Sequence, residues 1–502
     1  MKKVLLIFLL LSVNFLTFAN DILIHSEQCE IKECYFPNEF SKGLSEITYE
    51  QLLKDIEYIC YYLKSAYAGY DSMRQKGFEE EEFKAFLTEK HTGVENVNTR
   101  QLMKDISEYL SFYVKDGHFS ISANLSNENY YITKKSLILW TNTFFEKKNN
   151  EYYLIESDFD KFNKMETFSL SEENLFYYPA KGRNVYRLGM LSDERIDSAE
   201  FEINGNKIKL PVFDDGNIDS GFGIKYHQIE TDRTGYVSIS SFLLPNKKSN
   251  TRKGSEIIFS KFENLSQKWK NKKNIVIDLR GNKGGEINSI ETFLYNTFIS
   301  EKKFEKFTKK MDLFFEDNFF EKQFIDSPVI ATAKFNFINN YEVENSKYHK
   351  RDALRILKEH RKNPKINYWY RNTESKWISS PLRDKQLIFL IDRNSISAAE
   401  LFPVFAKKIF GNDSIIVIGE NSYGSLEYGE IYDYMLPESK LRLHLGSEHL
   451  KFLSSCSIWH GEGVGIYPDY WSTGEDLNET IFLVTKDEEM KQKLKGIETR
   501  LK

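Results

Sequence analysis

Asn274-Ile275-Val276-Ile277-Asp278-Leu279-Arg280-Gly281-Asn282-Lys283-Gly284-Gly285 decides the fold class. The unbroken aliphatic run reads as a strand buried on both faces, and the glycines after it as a turn. Such a turn leaves backbone N–H groups exposed and lets another group come close. The same texture recurs on either side: GYVSISSF begins at Gly235, QLIFLID spans 386–392, and SIIVIGE spans 414–420. Helical patterns over 255–269 and from Ala398 to Phe410 fall between these runs. Strands alternating with helices imply an α/β layer architecture. The turn matches neither GxGxxG nor GxxxxGK[ST], so a nucleotide-binding loop is not supported.

Further from this centre the texture changes twice. Residues 47 to 115 predict helices, because Tyr49, Leu52, Leu53, Ile56 and Ile59 recur at three-to-four spacing. Phe83, Phe86 and Leu87 repeat the pattern, as do Leu102, Ile106, Tyr109, Leu110 and Tyr113, ending at Gly117. From Phe119 to about Gly235, short apolar runs alternate with Asn, Gly and Asp, which predicts a small β-rich module. Within it, Ile203-Asn204-Gly205-Asn206-Lys207 is a hairpin signal. Phe304, Phe307, Met311, Phe314 and Phe315 place an apolar stripe on a helix inside an aromatic-rich insertion at about 300–380. Pro403 removes one hydrogen bond from the helix after Ala398, so a kink or irregular turn is expected there.

The 502 residues are 41% hydrophobic and 28% charged, a globular composition that excludes collagen-like and disordered classes. With 69 basic against 74 acidic residues the net charge is −5, so no basic field favours nucleic acid. Met1 to Ala19 read as a secretory signal peptide: Lys2 and Lys3 precede an apolar run, and Thr17 and Ala19 are small residues ahead of a cleavage point. Ser12, Asn14 and Thr17 break the run short of a membrane span, so an exported protein without a stable anchor is expected, in the periplasm or outside the cell. Of Cys29, Cys34, Cys60 and Cys456, the first two make the easiest disulfide closure, and Cys60 also reads as a plain buried thiol. No clustered Cys/His spacing supports a metal site or another cofactor.

Two further segments combine a strand end with chemistry. In Asp392-Arg393-Asn394-Ser395-Ile396-Ser397-Ala398-Ala399-Glu400 a strand runs into a helix through serines. A hydroxyl there sits beside a helix N-terminus, where free N–H groups favour developing negative charge. The plainer reading makes either serine an N-cap. In Glu462-Gly463-Val464-Gly465-Ile466-Tyr467-Pro468-Asp469, glycines alternate around a carboxylate before a Pro-Asp turn.

Taken in order, DLRGNKGG, SAAE and GIYPD resemble the motifs of the S41 family of serine peptidases, which includes the C-terminal processing proteases and the tricorn protease. The resemblance implies a ClpP/crotonase-like α/β core over about 235–490. Ahead of it lie an N-terminal helical domain (20–118) and the β-rich module (119–234), where some family members carry a PDZ domain. It implies Ser397 as nucleophile, with Ser395 a decoy, and an oxyanion hole made by the N–H groups of Ala398 and of Gly284 or its neighbour Gly285.

One departure matters. The Ser/Lys branch of the family places a lysine in a turn where this chain reads Gly419-Glu420-Asn421-Ser422-Tyr423-Gly424-Ser425, so Ser425 stands at the lysine position. A serine hydroxyl without a base is a poor nucleophile. The tricorn-like branch uses His and Glu, and Asp116-Gly117-His118 is similar to its histidine element. The resemblance therefore makes His118 the general base and Glu462 the carboxylate that orients it, the third role in a triad. His460 is a competing base. His444-Leu445-Gly446-Ser447-Glu448-His449 is off by one from an HxxEH metal motif and lies in a strand-like alternation. The expected substrate is a peptide or protein. A catalytically inactive relative that binds peptides is the alternative, motivated by the missing lysine.

Overall fold

A computed structural model describes residues 22–28, 43–123, 129–160, 167–214, 227–242, 271–285, 322–324, 365–371, 385–450 and 453–501 apart from 455 and 475, with a few isolated positions between. The leader, Cys29, Cys34 and the aromatic stripe from Phe304 to Phe315 lie outside the described residues, as does most of the 255–269 helix. The chain divides into two compact units that interleave in sequence: 1–133, 305–377 and 427–455 in the first; 134–304, 378–426 and 456–502 in the second.

In the first unit the helical expectation matches the structure, with helices Tyr49–Ala66, Tyr70–Gln75, Glu80–Lys90 and Thr99–Leu110. Thr48 starts the longest one: its Oγ1 accepts from Gln51 N (3.2 Å) while its own N–H donates to Gln51 Oε1 (2.9 Å). This reciprocal pairing satisfies two N–H groups that would otherwise be orphaned. Leu52, Ile56, Ile59 and Leu63 then fall on one buried face. That face meets Leu441, Leu443 and Leu445 of the antiparallel pair Tyr428–Met435 and Arg442–His449. The alternation in LRLHL is a strand, as read. The short strands Ser120–Ser122 and Asn129–Tyr131 correct the sequence reading, since they pair in this sheet beside Arg442–His449 and not in the β-rich module. Strand pairing is a long-range choice that local texture does not encode.

The second unit holds the predicted strand alternation. Its sheet runs His227–Glu230, Thr234–Ser238, Asn274–Asp278, Gln386–Ile391, Ile415–Gly419 and Tyr470–Trp471, all neighbours parallel except the first pair. Val276, Ile388, Leu390 and Ile418 are fully buried and pack against Leu477, Ile481 and Met490 of the C-terminal helices. Parallel strands covered in this way carry continuous aliphatic runs. The β-rich module contributes a four-stranded sheet around Leu137–Lys148 and the hairpin Ser198–Ile203/Asn206–Pro211, turned by Asn204 (φ 52°) and Gly205 (φ 71°). Trp140, fully buried, meets Trp471 edge-on at 5.8 Å and seats this module on the end of the parallel sheet. Helix Ala398–Phe410 continues through Pro403, so the irregular turn expected there is not found. Cys60 and Cys456 are buried free thiols.

Candidate active site

The turn after Asn274–Asp278 is organised by its own polar side chains. Asp278 accepts from Tyr236 Oη (2.7 Å) and from Arg280 Nη2 (2.7 Å), and both the aspartate and the arginine partner are largely withdrawn from water. Asn282 donates Nδ2 to Ile239 O (2.8 Å) and accepts the Gly284 N–H on Oδ1 (2.8 Å). Its carbonyl takes the Ile396 N–H (2.9 Å), which fastens this turn to the one ahead of the helix. Gly284 has φ 82°, and a Cβ there would stand 2.8 Å from Ile396 O, 2.9 Å from Ser397 Cβ and 3.1 Å from Ala398 N. Only glycine allows this approach. The first and second motifs, 113 positions apart by number (397 − 284), are therefore in van der Waals contact.

The two serines of the second motif separate cleanly. Ser395 is fully buried, its hydroxyl donates to Leu279 O (2.8 Å), and it accepts from Asp392 N (3.0 Å). It closes a turn and has no freedom to attack anything. Ser397 is part-exposed at the head of helix Ala398–Phe410, with φ 58° and ψ −115°. A serine in the positive-φ region costs about 1–3 kcal/mol and persists only where its surroundings hold it. The Ser397 N–H donates to Glu400 Oε2 (2.9 Å). Glu400 is fully buried, and burial pushes its carboxyl above the usual range against the pull of the hydrogen bonds it accepts.

Ser425, at the position of the family's lysine, is fully buried, donates its N–H to Glu400 Oε2 (2.9 Å), and has a hydroxyl with no hydrogen-bond partner among the described residues. Two N–H groups 2.9 Å from one oxygen place the Ser425 and Ser397 nitrogens within about 6 Å of each other by simple geometry. Glu462 is largely buried and accepts the Leu426 N–H on Oε1 (2.8 Å). Gly463 N donates to Gly424 O (2.8 Å), so the turn carrying Glu462 lies against the 421–426 loop. Asp469 of the third motif is structural: both its oxygens bind Lys407 Nζ (2.7 and 2.8 Å), and Oδ2 also takes the Val417 N–H (2.8 Å). His460 is exposed and stacks on Tyr467 at 3.5 Å.

Ser397, Ala398, Gly284 and Glu462 belong to the second unit, and His118 to the first. Asp116 builds the turn that carries His118: Oδ1 accepts from His118 N (2.8 Å) and Phe119 N (3.2 Å). The imidazole Nδ1 stands 4.0 Å from Asp116 Oδ1 and makes no hydrogen bond among the described residues. Burial lowers the His118 pKa to about 4 and raises that of Asp116. The first unit also contains a Ser–His–Asp row that spacing did not reveal: Asp433 Oδ1 to His444 Nδ1 (2.5 Å), and His444 Nε2 to Ser122 Oγ (3.0 Å). Ser122 lies within a strand paired on both sides, so its backbone is committed to the sheet and supplies no pair of donors for an oxyanion. This row reads as a cross-strand polar ladder. Sequence reasoning also missed Glu400 as the group that holds Ser397; the capping-box spacing from Ser397 to Glu400 was the available signal.

Peptidase family S41 matches residues 233–471, just under half of the chain, and the matched span contains all three motifs. No curated protein matches the sequence. Among solved structures, mature CPAF aligns with 13% identity over 86% of this chain and 94% of that one, TM-score 0.41. The photosystem II D1 C-terminal processing protease aligns with 12% identity over 86% and 94%, TM-score 0.33. The tricorn protease aligns with 11% identity over 89% of this chain and 37% of that one, TM-score 0.33.

Proposed function

With residues 233–471 matched by peptidase family S41 the chain is a serine-type peptidase, and we propose that it is an exported endopeptidase that forms an acyl-enzyme on Ser397. The observation that carries this reading is the backbone of Ser397: a positive φ at a helix head, pressed against Gly284 and held by a buried carboxylate. In the proposed step His118 takes the Ser397 hydroxyl proton as the oxygen attacks the peptide carbonyl, then returns it to the leaving amine. Glu462 orients the imidazole and offsets its transient charge. Ala398 N–H supplies one oxyanion donor. Because Gly284 N–H is engaged by Asn282, the Gly285 N–H is the second. The leader, the ClpP/crotonase-like character of the core and the end-to-end domain boundaries belong to the same proposal.

A second reading, a peptide-binding relative without turnover, draws on Ser425 standing where a lysine would activate the nucleophile. One experiment separates the two. The protein is treated with a fluorophosphonate probe and digested, and the labelled peptide is identified, with Ser397→Ala as control and a peptide library as substrate. Label on the Ser397 peptide, lost in the variant together with cleavage, supports the peptidase. No adduct and no cleavage over a broad panel supports the binder, and label on the Ser122 peptide would overturn the choice of nucleophile.

A further inference from the structure

Glu400 does more than cap a helix. Its two oxygens accept four hydrogen bonds from two separate segments: Oε2 from the N–H groups of Ser397 and Ser425 (2.9 Å each), and Oε1 from Ser422 Oγ (2.5 Å) and Gly424 N (2.7 Å). A carboxylate has about four lone-pair sites, and here each has a donor. The link extends to a third segment. Ser422 Oγ accepts the Ile466 N–H (2.6 Å), Ser422 N donates to Ile466 O (3.1 Å), and Gly463 N bonds Gly424 O (2.8 Å), all on the turn that bears Glu462. Tyr423 N returns to Ser395 O (3.0 Å), two residues ahead of the strained Ser397. One buried charge thus stands where the nucleophile segment, the 421–426 loop and the Glu462 turn meet.

We propose that Glu400 is the positioning residue of the nucleophile, holding Ser397 in its positive-φ conformation and fixing it against the Glu462 turn through Ser422. The proposal rests on Ser397 being the nucleophile. The physical reason is that a serine with φ 58° relaxes toward ordinary helix or strand geometry unless its N–H is held. The oxyanion donor at Ala398 follows directly in the chain, so a rotation at Ser397 moves both the attacking oxygen and the group that stabilises its product. Neutralising Glu400 would leave four donors facing an amide or a protonated acid, and the anchor would be lost.

The test uses the full chain with three variants: Glu400→Gln, Ser422→Ala and Ser422→Thr. Ser422→Ala removes one donor to Glu400 and the acceptor of the buried Ile466 N–H, and is expected to fold, with a melting temperature lowered by a few degrees. Its kcat on a fluorogenic peptide, and its rate of fluorophosphonate labelling at Ser397, should fall about tenfold with KM within about twofold. Ser422→Thr, which keeps the hydroxyl, should restore both. Glu400→Gln, where it folds, should lose about a hundredfold in kcat. A purely structural role would lower the melting temperature and leave kcat per folded molecule intact. Wild-type kcat and labelling rate in folded Ser422→Ala, with Ser397 labelled normally in the unaltered protein, overturn the positioning role alone. Absence of label at Ser397 in the unaltered protein overturns the nucleophile assignment, and this proposal with it.

Discussion

The acid limb of the pH–activity profile is the sharpest consequence of His118 acting as base. An exposed imidazole titrates near 6.5, but burial lowers that of His118 to about 4. At pH 5.5 an ordinary histidine is about nine-tenths protonated and unable to accept a proton, whereas one titrating near 4 is only a few per cent protonated. Activity limited by this group should therefore be nearly unchanged from pH 7 to 5.5, where an unperturbed base would lose about tenfold. The measurement is kcat/KM on a fluorogenic peptide from pH 4.5 to 7.5 at constant ionic strength, with circular dichroism at each point to show that the fold persists.

The same shift carries a stability signature. The folded pKa lies below the unfolded one, so the contribution from keeping His118 neutral is complete above about 6.5 and drains as pH falls toward about 4. The slope is about 1.4 kcal/mol per pH unit, and the total is at most about 3 kcal/mol because the side chain keeps 16% exposure. Urea midpoints should decline across that window, and decline less in His118→Gln. An acid limb centred near pH 6.5 would refute the assignment of His118 as the base, for the group that limits catalysis would then titrate as an unperturbed imidazole.

Two substitutions test the scaffold around the nucleophile. Gly284→Ala places a methyl group 2.9 Å from Ser397 Cβ and forces alanine to φ 82°; kcat should fall about a hundredfold, with about 1–3 kcal/mol lost from the denaturant midpoint, and near-normal turnover would show that the two motifs are not held in contact. Asp469→Asn strands the largely buried Lys407 ammonium without its charge partner, so thermal unfolding should show a loss of about 2–3 kcal/mol while kcat in the remaining folded protein is preserved. A large fall in kcat at unchanged stability would instead place Asp469 in the chemistry.

The local elements were written in the sequence. NIVID, QLIFLI and SIIVI declare buried parallel strands because a strand covered on both faces needs an aliphatic side chain at every position. Thr48, at the head of the first helix, and the turn at Asn204-Gly205 act through hydrogen bonds and φ angles set within a few residues. The two serines of the second motif looked alike in sequence. Only the folded chain distinguishes them, since Ser395 is buried and tied to Leu279 O at another strand end as well as to its neighbour Asp392, whereas Ser397 is part-exposed in a strained backbone conformation. The placement of Ser120–Ser122 beside Arg442–His449, and the convergence of Ser397, Ser422, Gly424 and Ser425 on one buried carboxylate, are equally tertiary. Periodicity and turn chemistry act between neighbours along the chain and can be read there. Which distant donor reaches a given oxygen depends on how the layers pack, a property of the whole fold and of no single segment.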